Sequence, residues 1–256
     1  MKKISLFFSV IGVTFLMTSC LGEGSNSYTD STFVYLAADD TGTPYGKTFS
    51  RYYSPARLIT NPTMMTMDPG TFKVMSYGWE EANGVTSLLV DGKTEQADNV
   101  RLLEVVDIAR TVLNMTELPE QPEQEDPAPS AGFDEIVAPL YAHHSNFMND
   151  HWVIEYACTA KKGQKASVTF HKKKEENEKG EIVIDVRLTL TGTPEGDSDV
   201  KYVNAVALNM SPLRAASSGE DKLEIRFKYY SRNENNNRLE EVESQNAYPW
   251  NISGNE

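Results

Sequence analysis

The sequence predicts an all-β fold on three observations. Short apolar runs are separated by turn-forming residues, later runs alternate strictly between apolar and polar positions, and no long helical period is present. In the first half the strand-like runs are TFVYLAA (32–38), ARLIT (56–60), TFKVMSYGW (71–79), SLLV (87–90) and NVRLLEVVDI (99–108). The segments DDTGTPYG, NPTMMTMDPG and EEANG supply the turns between them. Several short strands of this kind make a small barrel or sandwich. In the second half, GEIVIDVRLTL sets Ile182, Ile184, Val186, Leu188 and Leu190 against Val183, Asp185, Arg187 and Thr189. KLEIRFKYY repeats the pattern, with Leu223, Ile225, Phe227 and Tyr229 opposite Lys222, Glu224, Arg226 and Lys228. Such alternation marks antiparallel sheets with one face buried and one wet, and two of them packed together form a sandwich.

The chain begins MKKISLFFSVIGVTFLMTSC: Lys2 and Lys3, an apolar run from Ile4 to Met17, then small residues ahead of Cys20. This is the layout of a secretory signal peptide, and the run is short of the roughly 20 apolar residues a membrane span needs. Met17-Thr18-Ser19-Cys20 resembles the lipobox of bacterial lipoproteins, in which the cysteine is acylated and becomes the mature N-terminus. The other cysteine, Cys158, lies on the apolar face of WVIEYACTA with Trp152, Ile154 and Tyr156. There it reads as a small hydrophobe, although a disulfide with Cys20 is the alternative use in an oxidising compartment.

Removing residues 1–19 takes away two lysines and no acids, leaving 22 basic and 37 acidic side chains and a formal charge of −15. Such a chain has no electrostatic reason to bind nucleic acid, and an anionic membrane surface repels it, so the lipid does the anchoring. Domain organisation is read from TELPEQPEQEDPAPSA (116–131), with four prolines, five acids and no basic residue. Proline rigidity and like-charge repulsion make this an extended linker. The expected layout is a signal peptide (1–19), a tether (20–31), a β-barrel domain (32–115), the linker (116–131) and a β-sandwich domain (132–256) ending in a polar tail.

The lipoprotein signal, the acidic turn in LAADDTGTPYGKTF and a late VALNMSPL ahead of KLEIRFKYYS together resemble the NigD-like lipoproteins of the Bacteroidales. The resemblance implies a small OB-like barrel followed by an antiparallel β-sandwich, and a place on the outer membrane, on its periplasmic or cell-surface face. It brings no catalytic residues with it.

Candidate chemistry is sparse. Gly42-Thr43-Pro44-Tyr45-Gly46-Lys47-Thr48 approaches a P-loop, but that motif needs four residues between its glycines and a helix directly after, whereas FSRYYSPARLI is strand-like and contains Pro55. His143, His144 and His151, near Asp134, Glu135 and Asp150, have metal-ligand residue types. Adjacent strand residues point to opposite faces, so His143 and His144 do not readily share one ion; His143 and His151 are left as weak candidates, and no metal or other cofactor is expected. His171 and Lys172–Lys174, followed by Glu175, Glu176, Glu178 and Lys179, read as a charged hairpin tip that discourages edge pairing. The acid pairs Asp39-Asp40 and Glu80-Glu81 read as solvated turn residues. No nucleophile elbow or His-Glu-x-x-His zinc motif occurs. Asp30-Ser31-Thr32 resembles an O-glycosylation acceptor of Bacteroidota envelope proteins, with Ser31 as the modified residue.

These observations predict a non-enzymatic, lipid-anchored binding or accessory module for another envelope protein or a glycan. The alternative is a structural spacer in a surface assembly. An exposed aromatic patch on one face that includes Trp79, or Tyr52 and Tyr53, would favour the binding module over the spacer, since glycan or protein contact needs such area.

Overall fold

The structure, a computed structural model, describes residues 26–49, 55–116, 131–142, 145–232 and 239–253. The chain divides into two units, 1–108 and 109–256. Both are all-β.

The first unit contains β1 (Ser27–Ala38), β2 (Pro44–Phe49), β3 (Pro55–Thr60), β4 (Thr71–Glu80), β5 (Val85–Val90), β6 (Lys93–Asn99) and β7 (Arg101–Asp107). They lie in the order β5-β6-β3-β2-β1-β4-β7. Val100 is the only residue between β6 and β7, so these two strands are successive halves of one run of chain. The first half pairs in parallel with β3 and the second pairs antiparallel with β4. That run therefore joins β3 to β4 and closes the sheet into a five-membered ring. Period-two alternation sends Val34, Leu36, Met75 and Tyr77 inward to join Ile59 and Val100. Met64 enters the same cluster from the 3₁₀ turn Pro62–Thr66, whose start Asn61 caps by accepting from Thr63 N–H.

Two readings change here. PYGKTF is strand β2 rather than part of a glycine turn. A Cβ at Gly46 would lie 2.6 Å from Val34 Cγ1 and 2.9 Å from Ile59 Cγ1, so glycine lets three strands approach closely. Asp39 is a buried acceptor rather than a solvated acid: its Oδ1 accepts from Thr41 N–H, Thr41 Oγ1 and Thr43 N–H. The hydroxyl of Thr41 leads the bonds that hold its pKa below the ordinary value. Asp40 accepts from Gly92 N–H at 2.8 Å, and its own N–H donates to Leu89 O, so the acidic pair ties the β1–β2 turn to β5.

The second unit contains β8 (Ala109–Val112), β9 (Phe133–Ile136), β10 (His151–Lys161), β11 (Lys165–Lys172), β12 (Ile182–Thr191), β13 (Asp199–Asn209), β14 (Lys222–Arg232), β15 (Leu239–Glu243) and β16 (Tyr248–Asn251), with short helices α1 (Ser145–Met148) and α2 (Ser211–Ala216). The main path is β11-β12-β14-β9-β10-β13-β8, and β15 and β16 both pair with β14. One hydrophobic cluster draws on Trp152, Ile154, Tyr156 and Cys158 of β10, Ile184 and Val186 of β12, Leu208 of β13 and Ile225 and Phe227 of β14. The apolar faces read from the alternation thus enclose a common core, as sandwich packing requires.

The sheet is mixed rather than antiparallel. β12–β14, β8–β13 and the single β9–β14 bridge are parallel. The chain leaves β12, forms β13 and α2 elsewhere, and returns beside β12 as β14, and a strand that comes back after such a crossover runs in the same direction. The outer face is also drier than the alternation predicts, since Val183 and Asp185 are each 4% exposed.

The strand just before the proline-rich stretch, β8, is hydrogen-bonded to β13, so it is built into the second unit's sheet. Beyond it, Asn114 N–H donates to Phe170 O and accepts Lys172 N–H at its own carbonyl, which covers the edge of β11. On the far side of the stretch Ala131 bridges to Leu188. Both flanks of TELPEQPEQEDPAPSA therefore belong to the second unit, and residues 117–130 lie outside the described set. The C-terminal segment carries core residues: Trp250 is 1% exposed and Ile252 is 8% exposed.

Glu181 and Arg226 form a buried ion pair, with Arg226 Nε donating to Oε2 at 2.5 Å and Nη2 to Oε1 at 2.8 Å. Arg226 Nη1 donates to Ser244 O and Asn177 Nδ2 donates to Glu181 Oε2, so the pair ties the β11–β12 turn and the segment after β15 to β14.

Candidate functional site

The residues singled out for metal binding are not gathered. His143 and His144 lie outside the described residues. His151 Nδ1 is 3.1 Å from Met148 O, Asp150 accepts from Arg214 Nε at 2.7 Å, and Asp134 accepts from Thr159 Oγ1 at 2.8 Å. Each acid is engaged by a different neighbour. Among the described residues no group of three His, Cys, Asp or Glu side chains could hold a metal ion.

Cys20 lies outside the described residues. Cys158 is a free, fully buried thiol whose pKa burial pushes up to about 11, as suits an inert core residue. Ser31 lies inside β1 rather than in a tether; it is exposed, and its Oγ is 2.9 Å from Ser76 Oγ.

Tyr52 and Tyr53 are outside the described residues, whereas Trp79 is described and engaged. Its ring stacks on Tyr28 at 5.6 Å, and its Nε1 donates to Gly84 O. Arg57 lies 4.4 Å from the Tyr28 ring centroid and donates to Asp98 Oδ2, which also accepts from the Tyr28 hydroxyl. Burial, followed by the bond to Asp98, raises the Tyr28 pKa. These rings support one another instead of offering a platform.

The exposed large apolar side chains among the described residues are Met65, Val85, Leu89, Leu103, Val105, Val112 and Met115, none of them aromatic. Four sit on the two end strands of the first sheet: Val85 and Leu89 on β5, Leu103 and Val105 on β7. Leu103 is the most exposed of the four at 55%, and the register explains why. Tyr77 faces Leu102 and Ser76 faces Glu104, so Leu103 is the extra residue of a β-bulge, which turns its side chain away from the sheet. A bulge also discourages a partner strand from extending the ladder, so this strand suits contact through side chains.

The second unit holds an open cavity of about 870 Å³ where β8, the β11–β12 turn and the start of β14 meet. Lys172, Lys173, Lys174 and Lys222 line it, together with apolar Met115 and Leu223. Lys222 is paired with Glu224 at 2.6 Å, and Lys172 Nζ donates to Lys173 O. Among the described residues neither Lys173 nor Lys174 has a salt-bridge partner, whereas Lys161, Lys162 and Lys228 each have one. Glu176 and Glu220 also line the cavity. Position in the sequence marks this lysine run only as a hairpin tip; its placement against Met115 and Leu223 comes from the fold.

The molecule is thus an all-β protein of two units with a mixed sheet in each, and its fold recurs among Bacteroidales proteins of known structure. It shares the fold of a NigD-like immunity protein from Bacteroides caccae, at 12% identity and a TM-score of 0.50, over 90% of this chain and 99% of that one. A protein named as a proposed lipoprotein of Bacteroides fragilis is similar at 14% identity and a TM-score of 0.50, over 90% of this chain and all of that one. An uncharacterised protein from Parabacteroides merdae matches at 10% identity and a TM-score of 0.50, over 88% of this chain and 99% of that one. No family model and no curated protein sequence matches the chain.

Proposed function

We propose that this chain is a non-catalytic lipoprotein of the bacterial envelope, anchored at the outer membrane through Cys20, whose first unit binds another envelope protein. The observation that carries this reading is β7, an end strand on which the bulge residue Leu103 and, beyond the bulge, Val105 are both exposed. Exposed aliphatic side chains gain from burial against a protein surface, whereas sugar rings stack on aromatic faces, and the described aromatic residues are not among the exposed large apolar ones. We read the five-membered ring of the first unit as an OB-like barrel, an architecture that binds through a strand face and flanking loops. The names of the structural neighbours, a NigD-like immunity protein and a proposed lipoprotein, agree with an envelope location.

The test is photo-crosslinking in the native envelope with a photoreactive side chain at Leu103. A discrete heterologous adduct is expected. A ladder of self-adducts, or none, would favour the spacer reading.

A further inference from the structure

We infer that the lysine-lined cavity of the second unit binds an acidic, partly apolar peptide segment of a partner protein; this rests on the proposed protein-binding role. The cavity combines two features with one ligand chemistry. Lys173 and Lys174 present ammonium groups that no carboxylate among the described residues neutralises, in a chain whose formal charge is −13. Across most of that surface an acidic segment is repelled, so a local cationic lining selects where it settles. The same cavity is lined by Met115, 37% exposed, and the largely buried Leu223, which offer apolar contact beyond the charge. A free inorganic anion would use the ammonium groups and leave this apolar wall bare. A peptide carrying both carboxylates and aliphatic side chains uses both.

Three elements form the wall: the exit of β8 at Met115, the end of β11 at Lys172 and the start of β14 at Lys222 and Leu223. The backbone bonds of Asn114 to Phe170 and Lys172 hold the first two together, so the lining is largely preformed. The volume is within the range of ligand sites, about 300–1,000 Å³, and accommodates a few side chains rather than a folded surface. Of the three lining carboxylates, Glu220 and Glu224 lie on the α2 and β14 side and Glu176 lies two residues beyond Lys174, so the carboxylates of the ligand lie against Lys173 and Lys174.

The experiment uses the full chain in detergent and a fluorescein-labelled peptide of four Glu-Leu-Glu repeats, read by fluorescence anisotropy. A Lys-Leu-Lys peptide of the same length and inorganic phosphate serve as comparisons. The acidic peptide is expected to bind, with affinity falling as salt rises. Lys173→Glu/Lys174→Glu should weaken binding by on the order of tenfold or more through charge reversal. Lys201→Glu, an exposed β13 position, should leave it nearly unchanged. Equal binding of the basic peptide, displacement of the acidic peptide by millimolar phosphate, no binding of the acidic peptide, or full binding by the double variant at an unchanged urea midpoint would each overturn the inference. If the peptide fails while the Leu103 crosslink still yields a discrete partner, this inference falls and the proposed function stands.

Discussion

Replacing Glu181 by Gln removes the charge of the second unit's buried ion pair and leaves its shape almost intact. Both partners are 8% exposed, and the Arg226 guanidinium donates twice to the carboxylate. These bonds, with a further one from Asn177, push the Glu181 pKa down to about 2 from an ordinary 4.5. That difference between folded and unfolded chain corresponds to about 3 kcal/mol, reduced to about 2 kcal/mol by the solvent screening that remains at the turn before β12. The folded value lies below the unfolded one, so the contribution is complete above pH 4.5 and is lost as the pH falls towards 2. Gln also leaves Arg226 without its counter-charge, and breaking a buried pair costs about 3–5 kcal/mol. We expect Glu181→Gln to cost about 3 kcal/mol at pH 7, with less than half of that difference left at pH 3. Urea unfolding followed by tryptophan fluorescence reads this, because Trp152 and Trp250 lie in the same core cluster. A cost below about 1 kcal/mol at pH 7, or one unchanged between pH 7 and pH 3, would show that the ion pair does not stabilise the unit through its charge.

Three further outcomes are expected. Replacing Cys20 by Ala should move the protein from the membrane to the soluble fraction on cell fractionation, because the several acyl chains of a lipoprotein supply the anchoring; retention would contradict this. Cleavage by a glutamate-directed protease within 117–130 should give two fragments on a denaturing gel that still co-elute on gel filtration, because β8 stays paired with β13. Separation of the fragments in native buffer would show that this pairing contributes little. Gly46→Ala should destabilise the first unit by about 1–3 kcal/mol in thermal unfolding, since the new methyl group meets Val34 and Ile59 closer than van der Waals contact; an unchanged melting temperature would mean that the strands part freely.

Alternation made the long strands legible. The inward faces of β10, β12 and β14 match the pattern of WVIEYACTA, GEIVIDVRLTL and KLEIRFKYY, because one buried face imposes a period of two. Strands held by pairing more than by apolar content were hidden. KTEQADN forms β6 with Ala97 as its one fully buried side chain, and PYGKTF reads as a glycine turn until Val34 and Ile59 close around Gly46. ARTV is too short to announce β8, and YPWN hides β16 behind a proline. Parallel neighbours such as β12 and β14 leave no mark on either strand's own pattern, so the alternation alone predicts an antiparallel sheet where the fold is mixed. The candidate surface did leave a signal: in RLLEVVD the doubled Leu102-Leu103 breaks the alternation that Val105 resumes, which is what an inserted bulge residue produces. The cavity left none, since it depends on how Met115, Lys172 and Lys222 converge across distant parts of the chain.

We propose that the aliphatic side chains on the end strands of the first unit meet another envelope protein. The most direct test of this contact is the yield of the Leu103 photo-adduct in cells expressing the otherwise unaltered chain and in cells carrying Val105→Lys, with the anchored amount of each measured in parallel. Burying a lysine in place of valine disfavours an apolar contact, so a discrete heterologous adduct is expected, and its yield should fall by on the order of tenfold in the variant at equal membrane abundance. An adduct of undiminished yield, or the absence of a discrete adduct in either strain, would contradict it.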